Sequence, residues 1–142
     1  MQVDPEALVG FWINLASRTI VRTLDARLRP HGFAMSQLPV LRALAERGPL
    51  SQKELARVAR VEQPTMAELL GRMERGGLVQ REPDPEDGRA TLTSLTRSAR
   101  ARFPKAAEIL LAAEREATAG LAEDERRLLR DLLQRVVGNL EG

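Results

Sequence analysis

Side chains that can bind nucleic acid are concentrated between Gln52 and Thr96. In the middle of this segment Met66 and Leu69 have the spacing of an inward helix face, so the outward face is polar and basic. The outward residues are Gln63, Pro64, Thr65, Glu68, Arg72 and Arg75. Glutamine can read adenine through two hydrogen bonds, and arginine binds phosphate or guanine in a bidentate manner. We therefore predict that this face contacts DNA.

The first turn of this face and Glu68 have more specific expected roles. Gln63 and Thr65 lie in the first turn, which is the part of a recognition helix that goes deepest into the major groove. Glu68 is unusual beside DNA, because a carboxylate repels phosphate unless it accepts a hydrogen bond from a cytosine amino group. The alternative for Glu68 is an ion pair with Arg72 one helical turn later.

A β-hairpin is predicted after this helix. Residues 78–82 and 91–95 have strand character, and the turn-rich stretch 83–88 separates them. We expect Asp87 and Gly88 to organise the tip and Arg89 to project from it, where a narrow minor groove would attract it. The alternative is an ordinary hairpin arginine paired with Asp87. The acidic side chains of the tip do not have the ligand spacing of a calcium loop, so no metal site is predicted.

The helix before the outward face completes a helix-turn-helix. Ser51 and Glu54 form a capping box that starts a short helix ending near Ala59. Ala56 is small enough for the close crossing of two helices. Arg60 occupies the turn where glycine is usual, which costs on the order of 1 kcal/mol if its φ is positive. Such an arginine either reaches a DNA phosphate or is a solvated surface residue.

Long helices flank this unit, so the predicted fold is mostly α with a winged helix-turn-helix. One helix runs from Pro5 to about Arg29, a second begins at Ser36 as its cap, and Thr96 caps a third. The last helix begins near Glu123 and has more apolar surface than a small monomer usually needs, which predicts dimerisation. The residues expected to form the dimer interface are Leu8, Trp12, Leu129, Leu132, Leu133 and Val136. Trp12 could instead face a ligand pocket.

Composition excludes several classes of function. The chain has 142 residues, a net charge of +2 and no cysteine, so we expect a single domain spanning 1–142 and no disulfide, thiolate metal site or thiol switch. His31 is the only histidine, and no phosphate-binding glycine loop or nucleophile motif accompanies it, so we predict neither an enzyme nor a cofactor. The longest apolar runs fall short of the ~18 residues of a membrane span, and we predict a cytoplasmic protein that does not bind membranes.

Several of these motifs together resemble the MarR family of winged-helix transcriptional regulators. They are Gln63-Pro64-Thr65, Arg72-Met73-Glu74, Gly77-Leu78-Val79, Asp84-Pro85-Glu86-Asp87-Gly88-Arg89 and Leu95-Thr96. The resemblance covers essentially the whole chain. It implies a DNA-binding region at 36–96 and a helical dimerisation region at 5–32 and 97–142.

The same resemblance implies a function. A homodimer would bind a pseudo-palindromic double-stranded DNA site as a repressor or, less often, an activator, and a small aromatic or anionic effector would release it. The residues that bind the effector are not identified. Gly88 replaces a frequent second arginine of the wing, and Glu68 stands where the family commonly has arginine. The alternative function is a winged-helix module that binds protein without binding DNA.

Overall fold

The computed structural model describes residues 2–141, most of which are helical, and its helices and strands follow the predicted order. The helices are α1 (Val9–Leu28), α2 (Leu38–Arg47), α3 (Gln52–Ala59), α4 (Gln63–Arg75), α5 (Arg97–Ala117) and α6 (Glu123–Glu141). The strands are β1 (Leu50–Ser51), β2 (Val79–Pro83) and β3 (Thr91–Leu95). Short 3₁₀ turns lie at Pro5–Ala7, Arg29–His31 and Met35–Gln37.

The beginnings of two helices differ from the sequence-based expectation. Pro5 opens a 3₁₀ turn that ends at extended Leu8, so the long helix begins at Val9. Ser36 was expected to cap the second helix, and this was wrong, because Ser36 lies inside the 3₁₀ turn before α2. The Gln37 side chain accepts from the amide of Ala34, the residue before this turn, at 2.9 Å. Gln37 also precedes α2 as its N-cap residue, but its side chain makes no capping hydrogen bond to that helix.

The capping box at the start of α3 is confirmed. The amide of Glu54 donates to the Ser51 hydroxyl at 3.2 Å, and the amide of Ser51 donates to the Glu54 carboxylate at 3.3 Å. The Ser51 hydroxyl also donates to that carboxylate at 3.0 Å. The amide and hydroxyl of Ser51 therefore hold the pKa of Glu54 below its usual value. This cap fixes where the helix-turn-helix begins.

Replacing Ser51 with alanine is expected to lower the free energy of unfolding by about 1 kcal/mol at neutral pH, since one orphan amide loses its acceptor. Glu54→Gln is the matched comparison, because glutamine can still accept from the Ser51 amide. Urea unfolding at pH 7 should show a clearly smaller loss for Glu54→Gln than for Ser51→Ala. Equal losses in the two variants would contradict the assignment of the cap to the serine hydroxyl.

Ser51 and Glu54 also make the stability of the protein depend on pH. Because the pKa of Glu54 in the folded protein lies below its value in the unfolded chain, the contribution of Glu54 to the free energy of unfolding is present above the unfolded pKa. That contribution is lost as the pH falls through the folded pKa. In the native protein, this part of the stability should therefore decline below about pH 4. Glu54→Gln should remove that part of the acid dependence, as urea unfolding from pH 3 to pH 6 will show.

A single cluster of buried apolar side chains holds the middle of the chain together. Leu41 and Leu44 of α2, Leu55 of α3, and Leu70 and Met73 of α4 are fully buried in it. The sheet has the order β1-β3-β2 with antiparallel pairing, and Val79 pairs with Leu95 at the end farthest from the hairpin loop. The predicted hairpin is confirmed, with its first strand shifted by one residue. Helix α4 and the hairpin thus share one core.

Thr96 joins the hairpin to α5. Its hydroxyl donates to the carbonyl of Gly77 at 2.7 Å and accepts from the amide of Ala99 at 3.1 Å, so it caps α5 as predicted. Its backbone amide donates to the carbonyl of Leu78 at 3.0 Å. One residue therefore ties the end of α4, the wing and the start of α5 together. Among residues 2–141, no helix combines the length and apolar composition needed to span a lipid bilayer.

Candidate nucleic-acid interface

Helices α3 and α4 meet at the close crossing that the sequence predicted. Ala56 is buried at the crossing, and the amide of Val61 donates to its carbonyl at 3.0 Å. The inward side of α4 is buried at Met66, Leu69, Leu70 and Met73. All six residues of the predicted outward face are exposed: Gln63, Pro64, Thr65, Glu68, Arg72 and Arg75. The first turn of α4 therefore presents its side chains to solvent, as a recognition helix requires.

Arginines without acidic partners surround this face. Within residues 2–141, the ion pairs include none of Arg57, Arg72, Arg75 and Arg89, and all four side chains are exposed. An exposed guanidinium that makes no intramolecular ion pair keeps its donors free for phosphate or base edges. These four arginines of the helix-turn-helix and the wing tip are therefore available to bind a polyanion.

Glu68 does not form the ion pair expected as its alternative role. The helical ion pairs of the described chain join Arg42 to Glu46, Lys105 to Glu108, and Glu123 to Arg126 and Arg127. Glu68 and Arg72 are both exposed, and they are not among these pairs. The interpretation of Glu68 as a partner of Arg72 is therefore wrong, and its carboxylate faces solvent.

Arg60 adopts the left-handed conformation that its place in the turn predicts, with φ 57° and ψ 44°. Its guanidinium pairs with Glu141 at the end of α6 at a distance of 3.2 Å, and both side chains are more than half exposed. No local sequence signal indicates this contact, because 81 residues separate the partners. To bind a phosphate, Arg60 would have to leave a carboxylate.

Backbone and aspartate hydrogen bonds order the wing tip. The side chain of Asp87 accepts from the amide of Arg89 at 3.1 Å, and that of Asp84 accepts from the amide of Glu86 at 2.9 Å. The amide of Asp84 donates to the carbonyl of Ala90 at 2.9 Å, which closes the loop. The Arg89 side chain is not paired with Asp87, so its guanidinium is exposed and without an acidic partner in the described chain.

Gly88 does not have the role expected for it. Its φ lies outside the left-handed region, and a side chain at this position would extend into open space. The turn therefore does not require glycine there, and the expectation that Gly88 organises the tip was wrong. The conformation comes from Asp84 and Asp87, whose side chains accept backbone hydrogens two residues ahead.

One contact between the wing and α4 was missed by sequence reasoning. Arg81 of β2 lies 3.8 Å from Glu74 of α4, and its Nε atom is buried without a hydrogen-bond partner among the described residues. The attraction between the two charges pulls the hairpin toward the helix that presents the outward face. Its only sequence signal was a basic residue in β2 a few residues after an acidic one in α4.

Apolar side chains remain exposed on the flanking helices. Leu8, Trp12, Leu129, Leu132 and Leu133 of the predicted interface are all exposed, and Val136 is half-buried. No residue of α6 within the described range is buried. Trp12 packs edge to face on Phe11, and its indole donates to the carbonyl of Glu6 at 2.9 Å. A helix with this much apolar surface open to water is typical of an interaction surface.

A cleft of about 790 Å³ lies between α2 and α5. Its floor is apolar, with Met35, Leu38, Phe103, Leu110 and Leu111 among the lining residues, and two arginines also line it. These are Arg42, paired with Glu46, and Arg47, paired with Glu54. Trp12 does not line this cleft, so its alternative role in a ligand pocket is not supported here.

Comparison with known proteins identifies a family model and several relatives that are named as transcriptional regulators. Residues 31–90 match the family model described as "MarR family". The uncharacterized HTH-type transcriptional regulator YwoH of Bacillus subtilis is 32% identical over 122 residues, which cover 86% of this chain and 88% of that protein. An HTH-type transcriptional repressor of Mycobacterium tuberculosis is 27% identical over 136 residues, covering 96% of this chain and 98% of that protein.

A solved structure extends the similarity to the fold. A mutant of MarR from E. coli, crystallised in complex with operator DNA, superposes with a TM-score of 0.85 at 26% sequence identity. The superposition covers 96% of this chain and 99% of that protein. The similarity therefore includes α1, α5 and α6 as well as the helix-turn-helix and the wing.

Proposed function

The chain belongs to the MarR family of HTH-type transcriptional regulators, and we propose that it is a homodimeric repressor that binds a pseudo-palindromic DNA site. The proposal of repression is supported by the relative from Mycobacterium tuberculosis, which is named a repressor. The proposal of DNA binding is supported by the E. coli protein, which was crystallised in complex with operator DNA. Because the relatives are named as regulators, they favour DNA binding over the alternative of a protein-binding module, and they give no indication of an enzyme.

The observation that carries the proposal is the exposed outward face of α4 beside arginines without acidic partners. We assign base contacts to Gln63 and Thr65, with Pro64 holding the first turn, and phosphate contacts to Arg72. Arg60 binds phosphate once it has left Glu141. Glu68 accepts from a cytosine amino group. Arg89 enters the minor groove, and Asp87 supports the tip that carries it.

DNA binding and dimerisation are assigned to two different regions of the chain. Residues 36–96 bind DNA, and residues 5–32 and 97–142 form the dimer, together making one domain over 1–142. The exposed apolar faces of α1 and α6 support the dimer, because their burial against a second copy would remove them from water. The two recognition helices then lie about one DNA turn apart, ~34 Å, and contact successive half-sites.

Selection of bound duplexes from a random pool tests the function directly. We expect an enriched inverted repeat whose half-sites are centred about 10 base pairs apart, and an affinity that falls steeply with added salt. A winged-helix module that binds only protein would enrich no sequence and would retain no duplex at low salt. That result would refute DNA binding and leave only the architecture.

We also propose that the cleft between α2 and α5 binds a small aromatic acid as effector. The apolar floor suits an aromatic ring, and Arg42 or Arg47 could exchange its glutamate partner for the ligand carboxylate. The ligand would weaken DNA binding to the extent that it binds more tightly to a conformation in which the two recognition helices are not one DNA turn apart. Titration with benzoate and naphthoate derivatives should lower operator affinity in the native protein and less so in Leu111→Glu. No change in affinity with any of them would refute the proposal.

Glu141→Gln tests whether the C-terminal end of α6 competes with DNA for Arg60. The substitution removes the negative charge while keeping a side chain of similar size, so Arg60 becomes free to bind a phosphate. Because the pair is exposed, we expect operator affinity to rise only about twofold to threefold at low salt. Fluorescence anisotropy with the selected duplex measures this change. In an Arg60→Ala background the gain should vanish, and its persistence there would contradict the competition.

A further inference from the structure

The connection between α1 and α2 contains a glycine that cannot be replaced without strain. Gly32 has φ 83°, which L side chains rarely adopt. A Cβ atom at this position would also lie 2.7 Å from Nη1 of Arg102, an approach that real Cβ atoms do not show. Residues 29–37 form the joint between the two helices. The guanidinium of Arg102 packs directly against its backbone.

Arg102 lies in the second turn of α5 and makes three contacts. Its Nη1 atom donates to the carbonyl of His31 at 2.7 Å, and its Nε atom donates to the hydroxyl of Ser98 at 3.2 Å. Its guanidinium carbon lies 5.2 Å from the ring centre of Phe33, which is buried. The hydrogen bond to Ser98 orients the guanidinium, and the other two contacts bind it to the joint.

The joint is also tied back to α1. The amide of Met35 donates to the carboxylate of Asp25 at 2.7 Å, and the amide of Phe33 donates to the carbonyl of Leu28 at 3.2 Å. These bonds fix the joint to α1, and Arg102 fixes it to α5. Helix α1 leads into the region 36–96 here and α5 follows it, so these contacts, together with the shared core, constrain the angle between both helices and that region.

We propose that Arg102 is a positioning residue that holds the region 36–96 at a fixed angle to α1 and α5. This inference rests on the proposed function only for its consequence, which is the distance between the two recognition helices of a dimer. Without Arg102, the joint keeps a glycine whose backbone moves easily and loses its only side-chain hydrogen bond to α5 within the described chain. The DNA-binding region then samples several angles.

A distance measurement within one chain tests the angle without DNA. The chain has no cysteine, so Lys53→Cys and Arg115→Cys can carry two spin labels, one on α3 and one near the end of α5. Labelled chains are diluted with excess unlabelled protein, so that only distances inside one chain are read by pulsed electron resonance. We expect one narrow distance in the native background and a distribution about twice as wide in Arg102→Ala.

Three further variants separate positioning from folding and charge. Lys105→Ala removes one positive charge from an exposed site three residues along α5 and should leave the distribution narrow. Arg102→Met keeps packing against Phe33 without any donor, so it should fold and still give the wide distribution. Arg102→Lys keeps a donor for the carbonyl of His31 and should narrow the distribution again. An unchanged width in both Arg102→Ala and Arg102→Met overturns the proposal, whatever happens to the melting temperature.

Duplexes with altered spacing supply the readout for function. In the sequence selected by the native protein, one base pair is added or removed between the half-sites. If only a tenth of Arg102→Ala dimers have the correct spacing, affinity for the best duplex falls roughly tenfold, while binding to a single half-site is unchanged. An equal loss of affinity for the best duplex and for the single half-site would overturn the proposal. If the native protein binds no duplex, the proposed function fails, and the distance measurement still decides the role of Arg102.

Discussion

Replacing Leu132 with aspartate is expected to convert the protein into a monomer and to lower its operator affinity about a hundredfold or more. Leu132 lies in the middle of α6 and is 44% exposed in the single chain. In the proposed dimer, an aspartate here would be buried against the apolar face of the partner without a counter-charge. The cost of removing that charge from water outweighs what the remaining apolar contacts contribute.

The effect on DNA follows from the loss of the second half-site. In a dimer, binding of one winged region holds the other near its half-site, which raises its effective concentration. A monomer binds each half-site independently and retains mainly the salt-dependent attraction to phosphates. Light scattering with size exclusion measures the mass, and anisotropy titration of the selected duplex measures the affinity.

Gln134→Asp is the matched control for this change. It introduces the same charge on α6 two residues later, at an exposed polar position outside the predicted interface. It should remain a dimer and bind the duplex with an affinity within a few-fold of the native value. A Leu132→Asp protein that stays dimeric at micromolar concentration would show that α6 is not the main interface.

The sequence predicted the elements of the fold well where local signals are strong. The capping residues Ser51 and Thr96 marked helix starts, because each supplies an acceptor to an amide that has no partner within the helix. Ser36 failed by the same rule, because a 3₁₀ turn over Met35–Gln37 precedes α2 and places the serine inside that turn. The presence of a capping residue type therefore does not by itself decide where a helix begins.

Contacts distant in sequence could not be predicted. The left-handed conformation of Arg60 followed from its place in the turn, whereas its ion pair with Glu141 depends on where α6 lies in space. The bond from Arg102 to His31 likewise spans 71 residues. Periodicity shows which face of a helix is apolar but does not show which other element meets the polar side chains. The outward face of α4 was predictable because it is the complement of a buried stripe on the same helix.

Arg89→Ala is expected to weaken operator binding by about 1 to 3 kcal/mol, roughly fivefold to 150-fold. The guanidinium is exposed at the wing tip without an acidic partner in the described chain, so its removal relieves no existing contact in the free protein. The loss of binding free energy therefore comes entirely from contacts that Arg89 makes in the complex with DNA. A narrow minor groove at A·T-rich flanks concentrates negative potential, and arginine responds to it. The variant should therefore also lose preference for A·T beside the core site.

Two controls distinguish minor-groove recognition from a simple loss of charge. Arg22→Ala removes the same charge from α1, outside the DNA-binding region, and should change affinity little. Arg89→Lys keeps the charge, so it should retain the salt dependence of binding while losing part of the A·T preference, because an ammonium lacks the flat guanidinium fork. In Arg89→Ala the salt slope should fall by about one unit, since one fewer phosphate-bound cation is released. Equal affinity of Arg89→Ala and native protein across flanking sequences would remove the wing from DNA recognition and leave specificity to α4 alone.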